Sequence, residues 1–126
     1  MYQYDAVLKN VLRQLTGRVV RAASGVRVVR WQNAELPAVR SRRADMLGEA
    51  ADSTLLHIEL QSTNQAGMAR RMLEYAAAIR RQFGRFPKQV VLYVGSSPLR
   101  MTGEIEEGEV RFRCQITDIR HWMPKP

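Results

Sequence analysis

Asp45, Glu59 and Gln61 are the residues of this chain whose types and spacing could do chemistry. Asp45 follows two arginines in "RRADML", and Glu59 interrupts the apolar run "LLHIEL" at residues 55–60. A core strand normally excludes a carboxylate, because a buried charge loses its hydration and must find a partner. Two carboxylates brought together raise each other's pKa unless a cation sits between them. For an all-oxygen ligand set that cation is Mg²⁺ or Mn²⁺, and the backbone carbonyl of Leu60 could add a third oxygen. A metal so held lowers the pKa of bound water and neutralises charge on a phosphodiester under attack. The competing reading is structural: Asp45 and Glu59 are neutralised by Arg42 or Arg43 in a cross-strand salt-bridge lattice, a common arrangement. His57 is read as a partly exposed strand residue rather than a base, and His121 as part of a terminal tail.

These residues need strands to position them. Within residues 54–62, Leu56, Ile58 and Leu60 share one face of a strand, while His57, Glu59 and Gln61 share the other. A preceding strand is predicted from about Val39 to Leu47, ending at Gly48, and an earlier one over 26–32. The turn "EAADS" joins the second strand to the third in an antiparallel meander. With the turn centred near residue 51 or 52, Asp45 mirrors residue 58 or 59. A slip of one residue would put it on the wrong face.

Helices flank this meander. Tyr4, Val7, Leu8, Val11, Leu12 and Leu15 form one helical stripe, with Gly17 as its expected end. Asp5 and Lys9 lie at the edge of that stripe as i, i+4 neighbours. A second helix is predicted from the N-cap Asn64 to Phe83, burying Met68, Met72, Tyr75, Ala76, Ile79 and Phe83. The continuous apolar run "KQVVLYVG", residues 88–95, reads as a strand covered on both faces and parallel to an earlier one. A hairpin follows, with its turn in "EEGE" and "VRFRCQI" as its second strand. That strand directs Val110, Phe112, Cys114 and Ile116 to one side, so Cys114 is a small buried hydrophobe. The order makes an α/β sandwich around a mixed sheet.

A chain of 126 residues suits one domain, residues 1–126. Its formal net charge is +8, and 17 of its 20 basic residues are arginine, so the body favours polyanions. The blander reading leaves many of these charges simply solvated. One cysteine excludes an internal disulfide and a cysteine-based zinc cluster, which fits a reducing compartment. No apolar run approaches a membrane span, and "MYQYDAVLKN" lacks the features of a secretory signal. The expectation is a cytoplasmic protein without membrane partners.

Taken together, "QYDAVLKN", "ELPAVRSRRADMLGE", "LLHIELQSTNQAGMARRMLEYAAAI" and "KQVVLYVG" resemble the PD-(D/E)XK nuclease superfamily. The nearer resemblance is to its branch of recombination-promoting nucleases and transposase-like proteins, over about Tyr4 to Asp118. The resemblance implies a restriction-endonuclease-like core (α-β-β-β-α-β, here with a C-terminal hairpin). It implies that Asp45 is the first motif aspartate, Glu59 the acidic residue of the (D/E)xK motif, and Asp5 a helix carboxylate completing the metal site. Gln61 stands where the superfamily usually has lysine. Glutamine can orient a water but supplies no charge, leaving Lys9, Arg70 or Arg71 to provide it. Lys9, Arg70, Arg71 and Tyr75 match recurrent polar positions of the branch, and Arg42 and Arg43 join Lys9, Arg70 and Arg71 as candidate nucleic-acid contacts. The implied function is a Mg²⁺- or Mn²⁺-dependent DNA endonuclease of a mobile element or recombination system, acting alone or as a homodimer. The alternative is a weakly active or inactive nucleic-acid-binding module on the same fold. A third reading is an interaction protein that pairs through its hairpin edge.

Overall fold

The computed structural model describes residues 16–32, 35–36, 42–43 and 46–119. The stripe predicted over residues 4–15, with Asp5 and Lys9, lies outside these residues, as does Asp45. The described part is a mixed α/β fold: a five-stranded mixed sheet with a helix on each face, plus two small ladders.

The first described helix, α1, spans Thr16–Ser24, so Gly17 sits inside a helix rather than ending one. Val20 and Ala23 are buried, with Val19 partly so, while Arg18, Arg21 and Ala22 face water. Gly25 ends it instead: at φ 73° it donates its N–H to the Arg21 carbonyl at 2.7 Å, a left-handed conformation glycine adopts without a Cβ penalty. The buried Ser24 hydroxyl donates to the Val20 carbonyl at 2.6 Å and accepts from Val26 N–H at 3.0 Å.

Strand β1 (Val28–Gln32) is followed by β2 (Glu35–Leu36) and β3 (Arg42–Arg43), which pair antiparallel, β3 falling within the strand expected from about Val39 to Leu47. β2 lies against the long helix described below. Strand β4 spans Met46–Ala50 and passes straight through Gly48, where the sequence predicted its end. A Cβ on Gly48 would lie 2.5 Å from Val28 Cγ1 and 3.1 Å from Trp31 Cε3. Glycine is therefore a packing residue there, and it lets the bulged edge strand β1 close over β4.

Strand β5 (Leu55–Gln61) pairs antiparallel with β4, with Met46 opposite Ile58 and Leu47 opposite His57. Helix α2 spans Met68–Phe83 and β6 spans Lys88–Tyr93, parallel to β5 as predicted for a crossover. The helix begins four residues after Asn64. That side chain donates to the Pro98 carbonyl at 3.0 Å and accepts the Arg100 N–H at 2.6 Å, so it ties two loops together instead of capping.

The C-terminal region departs most from expectation. β7 (Glu104–Glu107) and β8 (Val110–Arg113) form the predicted hairpin, but the strand "VRFRCQI" breaks at Cys114. There the Cys114 N–H donates to the Gly103 carbonyl at 2.9 Å. Beyond it, β9 (Gln115–Asp118) joins the main sheet parallel to β6. The final order is β1-β4-β5-β6-β9. Burial pushes the Cys114 thiol up to about 11, as its reading as a buried hydrophobe requires.

Two cores result, one on each sheet face. Against α1 lie Met46, Leu56, Ile58, Leu60, Val90 and Leu92. Against α2 lie Leu47, Leu55, Val91 and Cys114, meeting Met68, Met72, Tyr75 and Ile79 of the helix. Among the described residues, no helix is long and apolar enough to cross a membrane.

Candidate functional site

Strand β5 is central in the sheet and buried along its whole length. Its alternation gives one aliphatic face and one face that presents His57, Glu59 and Gln61 toward α2, as predicted. Glu59 is only 1 % exposed and Gln61 8 %, the latter at the carboxyl end of the strand. His57 differs from expectation: it is fully buried, not partly exposed.

The histidine explains how the carboxylate survives there. His57 Nε2 lies 2.8 Å from Glu59 Oε2, and His57 Nδ1 lies 3.0 Å from Gln89 Nε2. Gln89 is the parallel neighbour of His57 on β6, and its Nε2 also donates to the Met72 carbonyl at 2.8 Å. An amide nitrogen carries two hydrogens, and both acceptors lie on the same side of the amide. Flipping the amide would set its oxygen against the Met72 oxygen, so the nitrogen must face both. Nδ1 of His57 is therefore an acceptor, the ring proton sits on Nε2, and Nε2 donates to Glu59. A relay of Met72 carbonyl, Gln89, His57 and Glu59 fixes the carboxylate's position. The Tyr75 ring closes over His57 with centroids 4.9 Å apart and planes tilted by 56°.

Arg71 supplies the nearest cation described. Its Nη2 lies 3.8 Å from Glu59 Oε1, longer than a hydrogen bond, and its side chain is 25 % exposed. It packs over Tyr75, with Cζ 5.9 Å from the ring centroid, and Nη1 donates to Gln65 Oε1 at 3.2 Å. Its Nε is buried, with no hydrogen-bond acceptor among the described residues. Such a donor is costly to leave unsatisfied.

The other candidates divide plainly. Leu60 sends its side chain to the α1 face and pairs with Leu92 in the β5–β6 ladder. Arg70 is exposed and lies 3.7 Å from Glu74, one turn along the helix. Arg42 and Arg43 form β3, on the ladder whose other strand lies against α2, which is Glu59's side of the sheet. Asp5, Lys9 and Asp45 lie outside the described residues. Among the described residues, no group of three or more His, Cys, Asp or Glu side chains is placed to hold a metal ion. The hard oxygen donors of Glu59 and the Leu60 carbonyl fit Mg²⁺ or Mn²⁺ in kind.

Among the described residues, arginines surround a carboxylate at Glu49, while Asp45 and the side chains of Arg42 and Arg43 lie outside what the structure describes. Arg30 Nη2 lies 2.6 Å from Glu49 Oε1 and Arg85 Nη2 2.9 Å from Oε2. The Arg30 hydrogen bond holds the Glu49 carboxyl below its ordinary value of 4.5, with Arg85 and Gln32 adding to the effect against some burial. Gln89 was missed from sequence. Its signal was a lone amide at the head of an otherwise apolar strand. No protein-family model matches the chain, and no curated protein or solved structure matches it.

Proposed function

We propose that this protein is a metal-dependent endonuclease of the restriction-endonuclease-like type, hydrolysing phosphodiester bonds of DNA with Glu59 as a central ligand. The observation that carries the reading is the buried, relay-held Glu59 with Arg71 beside it, two residues before the carboxyl end of β5, which is parallel to β6. Crevices at such strand ends are where open α/β sheets bind ligands. A carboxylate kept in a core at the cost of three further polar side chains is poorly explained by packing alone.

In this reading Glu59 and Asp45, with the Leu60 carbonyl and Asp5, would hold Mg²⁺ or Mn²⁺. The metal would supply Lewis acidity and a more acidic bound water. The proposal requires Asp45 opposite Glu59, the step that follows the pairing of Met46 with Ile58. Gln61, two residues beyond Glu59 on the same face, orients the water through its amide. Arg71 provides the positive charge that glutamine lacks, offering the partly exposed end of its guanidinium to a phosphate oxygen. His57 and Gln89 act as positioning residues: they hold one carboxylate oxygen and leave the other side of Glu59 turned toward Arg71. Lys9, Arg42, Arg43 and Arg70 extend the phosphate contacts.

A second reading, a nucleic-acid-binding module without cleavage, is favoured by one distance. Arg71 at 3.8 Å can serve as the permanent counter-ion of Glu59 and replace the metal. Cleavage of supercoiled and linear DNA with Mg²⁺, Mn²⁺ or EDTA separates the two. The nuclease reading expects metal-dependent cutting that falls at least about 10³-fold in Glu59→Ala, roughly 4 kcal/mol of transition-state stabilisation. Cutting that persists in that variant, or none in wild type with either metal, refutes it.

A further inference from the structure

The outer side of α1 carries a charge pattern that the Glu59 site does not use. Arg18, Arg21 and Arg27 line one surface recess of about 580 Å³, together with Gly17 and Ala22. Recesses of that size hold ligand groups rather than single waters. Arg18 and Arg21 are three residues apart and so project from the same side of the helix. Arg27 reaches the recess from the segment after Gly25.

Several other described arginines have a carboxylate partner, although Arg80, Arg81 and Arg100 have no ion pair among the described residues. Arg30 and Arg85 share Glu49, Arg71 faces Glu59, and Arg111 and Arg113 pair with Glu106 and Glu104 across the hairpin. Among the described residues, no carboxylate stands within ion-pair distance of Arg18, Arg21 or Arg27, and α1 contains no acidic residue. The nearby Asp52 lines an adjoining recess that shares Arg27, but its Oδ1 already accepts the Thr54 N–H at 3.0 Å. Like charges gathered without counter-charge repel, so the cluster is best satisfied by an anion with several charges.

We propose that this recess is a docking site for a nucleic-acid phosphate backbone, separate from the Glu59 site. Guanidinium forks match phosphate oxygens two at a time, which favours arginine over lysine for this task. The lining offers no aromatic or long aliphatic side chain to enter a bilayer, which argues against a lipid surface. The buried side of α1 packs on Leu56, Ile58 and Leu60, the face opposite His57 and Glu59. The recess therefore lies across the sheet from the carboxylate and holds a different stretch of backbone. Binding here goes beyond the nuclease reading and stands or falls without it.

The test is fluorescence anisotropy of a labelled DNA duplex, in EDTA, over a range of salt. The variants are Arg18→Ala/Arg21→Ala/Arg27→Ala and, as the control, Arg111→Ala/Arg113→Ala on the hairpin. Each lost phosphate contact lowers the slope of log K against log salt by about 0.9. The α1 variant is expected to lose roughly 2–3 from that slope and at least tenfold in affinity, with an unchanged thermal midpoint. The control is expected to keep the wild-type slope. Equal losses in both variants would show that net charge alone acts, and would overturn the proposal, as would a wild-type slope in the α1 variant. Displacement of the duplex by millimolar inorganic phosphate would assign the recess to a small anion. Equal capture by anionic vesicles, lost in the same variant, would assign it to a lipid surface. Either result overturns the nucleic-acid assignment. Because no metal is present, failure here leaves the cleavage assay of Glu59→Ala untouched.

Discussion

The two faces of the central sheet are built from the same strands and solve opposite problems. On the α1 face, Met46, Leu56, Ile58, Leu60, Val90 and Leu92 make an aliphatic layer with no polar group among them. On the α2 face, the same β5 and β6 carry His57, Glu59, Gln61 and Gln89, all buried. Strand alternation produces both faces at once, so the polar row is not a by-product of topology. The α1 face shows that the chain can fill such a layer with hydrocarbon. The α2 face keeps a carboxylate in place through a hydrogen-bond relay.

Breaking the aliphatic face should have the largest effect on folding. Ile58→Ala is expected to cost about 2–5 kcal/mol, through lost burial and the cavity left behind. Denaturant unfolding would read this, and duplex cleavage per folded molecule should stay near wild type. Converting the polar face into a copy of the other one sharpens the contrast. In His57→Leu/Glu59→Met/Gln89→Leu the thermal midpoint should be unchanged or raised, by the equivalent of about 1–4 kcal/mol at most, because buried polar groups are exchanged for packing. Cleavage should vanish in the same variant. A strong loss of stability there would mean that the relay is structural.

The smallest effect belongs to Glu49, the carboxylate that is structural by its partners. Its folded pKa lies below its ordinary value of 4.5, so the stability it contributes is present above that value and fades as pH falls through the folded value. Glu49→Gln should lower stability slightly at pH 7, and the difference from wild type should fade as pH falls below about 4.5, where Glu49 takes up its proton. Added salt should shrink the difference, because Arg30 and Arg85 act on Glu49 from the surface.

Much of this arrangement was legible in the residues. The period-two pattern of β5 placed Leu56, Ile58 and Leu60 against His57, Glu59 and Gln61 on the correct opposite faces. The turn after β4 gave the antiparallel pairing, and the apolar run of β6 gave the parallel crossover. Local signals failed where tertiary contact decides. Gly48 reads as a strand breaker, yet it lies within β4 because Val28 and Trp31 occupy the space of its absent side chain. Asn64 reads as a helix cap, but its amide is used by Pro98 and Arg100, more than thirty residues away. The apolar alternation through Cys114 hid a change of sheet, since period two continues across the break. Gln89 could be understood only once β5 and β6 were known to be parallel and in register. The restriction-endonuclease-like reading remains a proposal that rests on the order of elements and on Glu59.

Thermal unfolding with and without Mn²⁺ tests the role of Glu59 most directly. A ligand at about one hundred times its dissociation constant stabilises a fold by about 2.7 kcal/mol, which raises the midpoint of a chain this size by several degrees. Wild type should show that rise and Glu59→Ala should not. A rise that survives in Glu59→Ala, or a wild type indifferent to the metal, would contradict Glu59 as a metal ligand.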